Sequence, residues 1–67
     1  MRTSKKRINE LDKLFRDVFG KGNTIYAAGE YNASAHAYIK RDNVVTQYEN
    51  NTAAFFAAME MLEKAIF

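Results

Sequence analysis

The sequence contains no cysteine, no proline and only one histidine in 67 residues. Without cysteine the chain forms neither a disulfide framework nor a thiolate metal site, so two common reinforcements of a small domain are excluded. A single histidine cannot build a multi-histidine metal sphere, and no carboxylates are spaced to converge on an ion. No cofactor or metal is expected. No apolar run reaches the roughly 18 residues that a membrane span needs. The basic start MRTSKKR leads into an amphipathic segment rather than a continuous apolar signal core. A soluble, cytoplasmic protein with no membrane partner is therefore expected. There is no internal repeat, low-complexity tract or linker, so residues 1–67 are expected to form one small globular domain. A chain of this size buries only about 60% of its unfolded surface. Its core must be small, and a second copy or a partner would enlarge it.

The formal charge of +2 is unevenly placed. Arg2, Lys5, Lys6 and Arg7 put four positive charges in the first seven residues, and the rest of the chain carries more acids than bases. From about Ser4 to Phe19 the apolar positions Ile8, Leu11, Leu14, Phe15, Val18 and Phe19 recur with helical spacing. Thr3 or Ser4 can cap the start of this helix, and Gly20-Lys21-Gly22 supplies a left-handed exit. Lys5, Lys6 and Arg7 occupy the first turn, where the helix dipole favours acids by about 0.3–1 kcal/mol per charge. Local helix stability does not account for these three cations.

Asn23 to Glu49 changes period to two, with β-branched and aromatic residues. In Ala33–Lys40, Ala33, Ala35, Ala37 and Ile39 share one face and Ser34, His36, Tyr38 and Lys40 the other. Three small residues in succession on the inner face predict helices lying close to the sheet. Asp42 and Asn43 tolerate positive φ and predict a two-residue hairpin turn. That turn sets Ile39 opposite Thr46 and Ala37 opposite Tyr48 on the inner face. On the outer face Tyr38 is opposite Gln47 and His36 opposite Glu49. A shorter first strand, about Thr24 to Ala28, is expected to point Ile25 and Ala27 inward and Tyr26 outward, its register across Gly29–Asn32 being open.

Asn50, Asn51 and Thr52 offer three N-caps for a final helix running to Phe67. Phe55, Met59, Leu62 and Ile66 fall on one face of it, flanked by Ala58 and Ala65, and are expected to cover the sheet. Phe56 and Phe67 fall on the side of Glu60, Glu63 and Lys64, with Met61 at the border. The fold class is α+β: a two-layer α-β-β-β-α arrangement, with a three-stranded antiparallel meander and both helices on one face.

Nucleophilic catalysis requires a nucleophile, a base and an orienting group. The only pair on offer is Ser34 with His36, which also reads as ordinary surface polarity beside Glu49. Gly20-Lys21-Gly22-Asn23 lacks the preceding strand and following helix of a phosphate loop and reads as a helix end. Asn32-Ala33-Ser34 and Asn50-Asn51-Thr52 match the glycosylation acceptor pattern, which ordinary turn chemistry also produces. An enzyme is not expected.

The α-β-β-β-α order resembles that of the double-stranded RNA-binding domain. That family reads RNA with a lysine-rich start to its second helix. Here the corresponding positions are Asn50, Asn51, Thr52, Ala53 and Ala54, with no lysine before Lys64, so no residue role carries over. In class, a compact α+β chain without a catalytic set is similar to the accessory inhibitors of phages and mobile elements, which block host or defence proteins by occupying a surface.

Two functions follow as expectations. The first is a protein-binding regulator or inhibitor, able to form a homodimer, that presents Tyr26, His36, Tyr38 and Gln47 on the open sheet face and Phe56, Met61 and Phe67 on the final helix. The second is a nucleic-acid binder, with Arg2, Lys5, Lys6, Arg7 and Lys40 on phosphates and Tyr26 and Tyr38 stacking bases.

Overall fold

A computed structural model describes residues 3–28 and 36–66. The elements run α1 (Lys5–Phe19), β1 (Thr24–Tyr26), β2 (Ala37–Arg41), β3 (Val44–Tyr48) and α2 (Asn51–Ile66). The strands form one antiparallel meander in the order β1-β2-β3. The α-β-β-β-α reading is therefore met.

Helix α1 begins at Ser4, whose side-chain oxygen accepts the Arg7 N–H at 3.2 Å. It ends at Gly20, with φ 94° and ψ 173°. This is the glycine-only extended region rather than the left-handed helical exit that the sequence suggests, so the requirement for glycine is stricter. Asn23 finishes the cap by donating its side-chain amide to the Phe19 carbonyl at 2.8 Å. Its carbonyl oxygen accepts the backbone N–H of Asp42 at 2.9 Å, tying the end of α1 to the far hairpin.

Asp42 and Asn43 both have positive φ, 53° and 66°, which makes the primed two-residue turn expected from their chemistry. The register follows: Ile39 faces Thr46, Ala37 faces Tyr48 and Tyr38 faces Gln47. On the other side Ile25 faces Ile39 and Tyr26 faces Tyr38. Ile25 and Ala27 are buried and Tyr26 is exposed, as the alternation requires. The ladder stops at Ala37–Tyr48, so the expected His36–Glu49 pair lies beyond it, and His36 is an exposed residue preceding β2. Ala33, Ser34 and Ala35 lie outside the described residues.

Both helices cover the inner face. Ile8, Leu11 and Phe15 of α1 join Ile25, Ala27, Ala37 and Ile39 of the sheet and Ala54, Ala58 and Leu62 of α2 in one cluster. Here the structure departs from the sequence reading. The apolar residues that α2 buries are Ala54, Ala58 and Leu62, at i, i+4 and i+8. Phe55 and Met59 are only half-buried and Ile66 is 54% exposed. Ala54, Ala58 and Ala37 are all fully buried in one cluster, and side chains this small let a helix backbone approach a sheet more closely than phenylalanine would. Larger residues are turned to the flanks. Ala65 is exposed as well. On α1, Leu14 and Val18 form the edge of the apolar stripe and stay exposed.

Polar side chains fix the remaining joints. Asn51 is buried; its oxygen accepts the Ala28 N–H at 2.8 Å and its amide donates to the Thr3 carbonyl at 3.1 Å. Thr3 and Thr52 share a hydroxyl hydrogen bond of 2.9 Å. The adjacent Asn50 caps α2 by accepting the Ala53 N–H at 2.9 Å. Asp12 accepts both the Ile25 N–H at 2.9 Å and the Thr24 hydroxyl at 2.8 Å, and pairs with Arg16 at 3.0 Å. Arg41 lies on the inner face with its guanidinium 4.0 Å over the Phe19 ring, closing the end of the core.

Two stability predictions follow from this packing. Ala58→Leu should overpack the helix–sheet seam and cost about 1–3 kcal/mol in urea unfolding. Asn51→Ala strands the Ala28 N–H and should also cost about 1–3 kcal/mol. If either variant unfolds at the wild-type midpoint, the corresponding contact is wrong.

Candidate protein-binding surface

The structure distributes the residues singled out in the sequence over separate surfaces. On the open sheet face Tyr26 and Tyr38 stack with ring centroids 5.0 Å apart and planes 8° from parallel. That separation matches the spacing of neighbouring strands, so the rings stand side by side, each covering one face of the other. Lys40 and Gln47 share this face. Each ring gives up one of its two faces to the other, and the second face of Tyr26, on the edge strand, is the one left for stacking a base.

Helix α1 lies on the opposite side of the sheet. Lys5 and Lys6 are exposed there and line a shallow concavity with Asn9, Glu10 and Lys13. Arg7 is turned toward α2, with its guanidinium 5.0 Å over the Phe55 ring. The basic helix start and the tyrosine pair therefore occupy different layers, and one strand of nucleic acid cannot use both without wrapping the edge. Lys13 was not singled out in the sequence, although its i+8 relation to Lys5 carried the signal. Arg2 and Phe67 lie outside the described residues.

An apolar concavity lies between the helices. Leu11 and Leu14 of α1 face Phe55 of α2 across about 270 Å³, with Arg7 and Glu10 at the rim. Leu14 is 45% exposed and Phe56, which meets Phe55 edge-on at 6.1 Å, is 55% exposed. Apolar walls with a charged rim suit a leucine or aromatic side chain of another protein. Sequence periodicity assigned Leu14 and Phe55 to the core, because six apolar positions in α1 and the large residues of α2 look alike on a helical projection whichever of them meets the sheet.

Met61 does not join Phe56 in one patch. It is half-buried on the other flank of α2, where it lines a groove with Tyr48, Ala57, Glu60 and Lys64. The sequence placed Met61 at the border of the Phe56 side. The alanine seam rotates α2 so that Phe56 points away from the sheet and Met61 packs beside β3.

Among the described residues no group of three or more His, Cys, Asp and Glu side chains could hold a metal ion, and no helix is long and apolar enough to cross a membrane. Ser34, the partner considered for His36, lies outside the described residues. The chain matches no family model, no curated protein and no solved structure.

Because Leu14 and Phe56 contribute exposed surface rather than core, Leu14→Gln and Phe56→Gln should each stay within about 0.5 kcal/mol of wild-type stability in urea unfolding. A loss as large as a core truncation would instead assign the residue to the core.

Proposed function

We propose that this chain is a non-enzymatic protein-binding module, a small regulator or inhibitor that acts by occupying a partner surface. One observation carries the reading. The groove between the helices leaves Leu14 exposed and Phe55 half-buried above the buried Leu11, in a chain with few large apolar residues to spare for its core. Arg7 over Phe55 and Glu10 beside it supply a charged rim that gives direction to an incoming apolar anchor. Phe56 extends the apolar area outward along α2. His36, Tyr26, Tyr38 and Gln47 offer a second, more polar surface on the opposite face.

Nucleic-acid binding is the second reading. It is favoured by the exposed Lys5, Lys6 and Lys13, which line one concavity of α1 together with Asn9 and Glu10. On this reading phosphate contact is confined to α1 and does not involve the tyrosines. Its affinity then falls steeply with salt through counterion release.

The discriminating experiment captures partners from host lysate on immobilised wild-type chain and then measures the captured protein by calorimetry against wild type and the Leu14→Gln/Phe56→Gln double variant. The groove reading expects at least about a tenfold loss of affinity in the folded double variant. Unchanged affinity contradicts it. A ligand that proves to be nucleic acid, binds with a steep salt slope and is lost in Lys5→Gln/Lys6→Gln favours the second reading instead.

A further inference from the structure

Strand β3 is an edge strand without the usual protections. Val44–Tyr48 reads VVTQY, with β-branched and aromatic residues and neither charge nor proline; its register against β2 runs without a bulge. Natural edge strands are ordinarily blunted by lysine, proline, bulges or a covering element. The opposite edge is treated in this way, because the Ile25 N–H of β1 is taken by Asp12 from α1. Among the described residues nothing bonds to the outer edge of β3, and Val44 and Val45 are 63% and 56% exposed.

The hairpin geometry states which backbone groups are free. A two-residue turn makes Arg41 and Val44 its first hydrogen-bonded pair, so Val44, Thr46 and Tyr48 bond to β2. Val45 and Gln47 direct their N–H and C=O groups outward.

We infer that β3 pairs antiparallel with β3 of a second copy about a two-fold axis at Thr46, joining two sheets into one of six strands. In this register Val45 exchanges backbone hydrogen bonds with Gln47 of the other copy and all five residues are paired. The side-chain partners are favourable at three of the five positions, those of Val44, Thr46 and Tyr48. Thr46 meets Thr46, and Val44 meets Tyr48 twice, which are the threonine–threonine and aromatic–β-branched pairs that stabilise antiparallel ladders. Both kinds fall at non-hydrogen-bonded positions, where side chains approach most closely.

The surroundings agree with this occupant. Val44 of the second copy arrives beside Tyr48, where the groove lined by Ala57 and Met61 has room for it, about 250 Å³. The two-fold axis also brings the Glu49 end of each strand to the hairpin end of the other, which carries Lys40 and Arg41 against the single acid Asp42. Each Glu49 thus lies at an end that is net positive, and the strand itself carries no charged residue. This surface is separate from the groove between the helices, so the two proposals stand or fall independently.

The test uses the whole chain and its Thr46 variants in sedimentation equilibrium at concentrations up to about 1 mM, with circular dichroism to establish folding. Wild type is expected at about twice the 7.7 kDa chain mass. Thr46→Lys and Thr46→Glu, each facing its own like charge at the axis, should lose the dimer. An equimolar mixture of the two should regain it, which also shows that neither variant had merely misfolded. A monomeric wild type, a dimer that survives Thr46→Lys, or a mixture that fails to associate would each overturn the proposal.

Discussion

The structure depends on a seam of small side chains. Ala54 and Ala58 of α2 and Ala37 of β2 are fully buried, and their size lets the helix lie close to the sheet. That closeness fixes the rotation of α2. Its larger residues, Phe55, Phe56, Met59 and Ile66, are consequently placed beside or outside the helix–sheet contact, although their spacing makes them look like its centre. The same seam sends Met61 toward β3 and Phe56 toward solvent. A core in which four of ten buried apolar residues are alanine is thin, and the apolar groups it leaves over form the exposed surfaces.

A thin core needs other means of holding register, and here these are polar. Asn51 joins the start of α1, the end of β1 and the start of α2 with one side chain. Asp12 fastens α1 to β1, and Asn23 fastens the end of α1 to the β2–β3 turn. Among the described residues no buried side-chain nitrogen or oxygen is left without a hydrogen-bond partner. These clasps sit at the layer boundaries, so they fix the positions of the elements while leaving the outer faces to other uses.

Much of this architecture was legible from the residues. Period two in Ala37–Ile39, the Asp42-Asn43 turn and the caps at Ser4 and Gly20 determine element order and sheet register, because local backbone chemistry decides them. The rotation of α2 was not legible. Helical projection places Phe55 and Ala58 about 60° apart, and only the space beside Ala37 decides which meets the sheet. Exposure of Leu14, the turn of Arg7 onto Phe55 and the joint made by Asn51 are likewise tertiary facts. The exposed side of α2 was therefore legible only in part: Phe56 is exposed as its spacing implies, whereas Leu14 and Phe55 look like core, and the structure separates Met61 from the patch in which the projection places it.

Binding at the helix groove follows from which face α2 turns inward, and methyl and aromatic NOE spectroscopy of the isolated chain measures that directly. The account predicts cross-peaks from the Ala54 and Ala58 methyls to Ala37 and Ile39, with the Phe56 ring showing contacts only within α2 and to Phe55. Strong cross-peaks from Phe55 and Ile66 to Ile39, with none from Ala58, would place the large residues in the seam and contradict it.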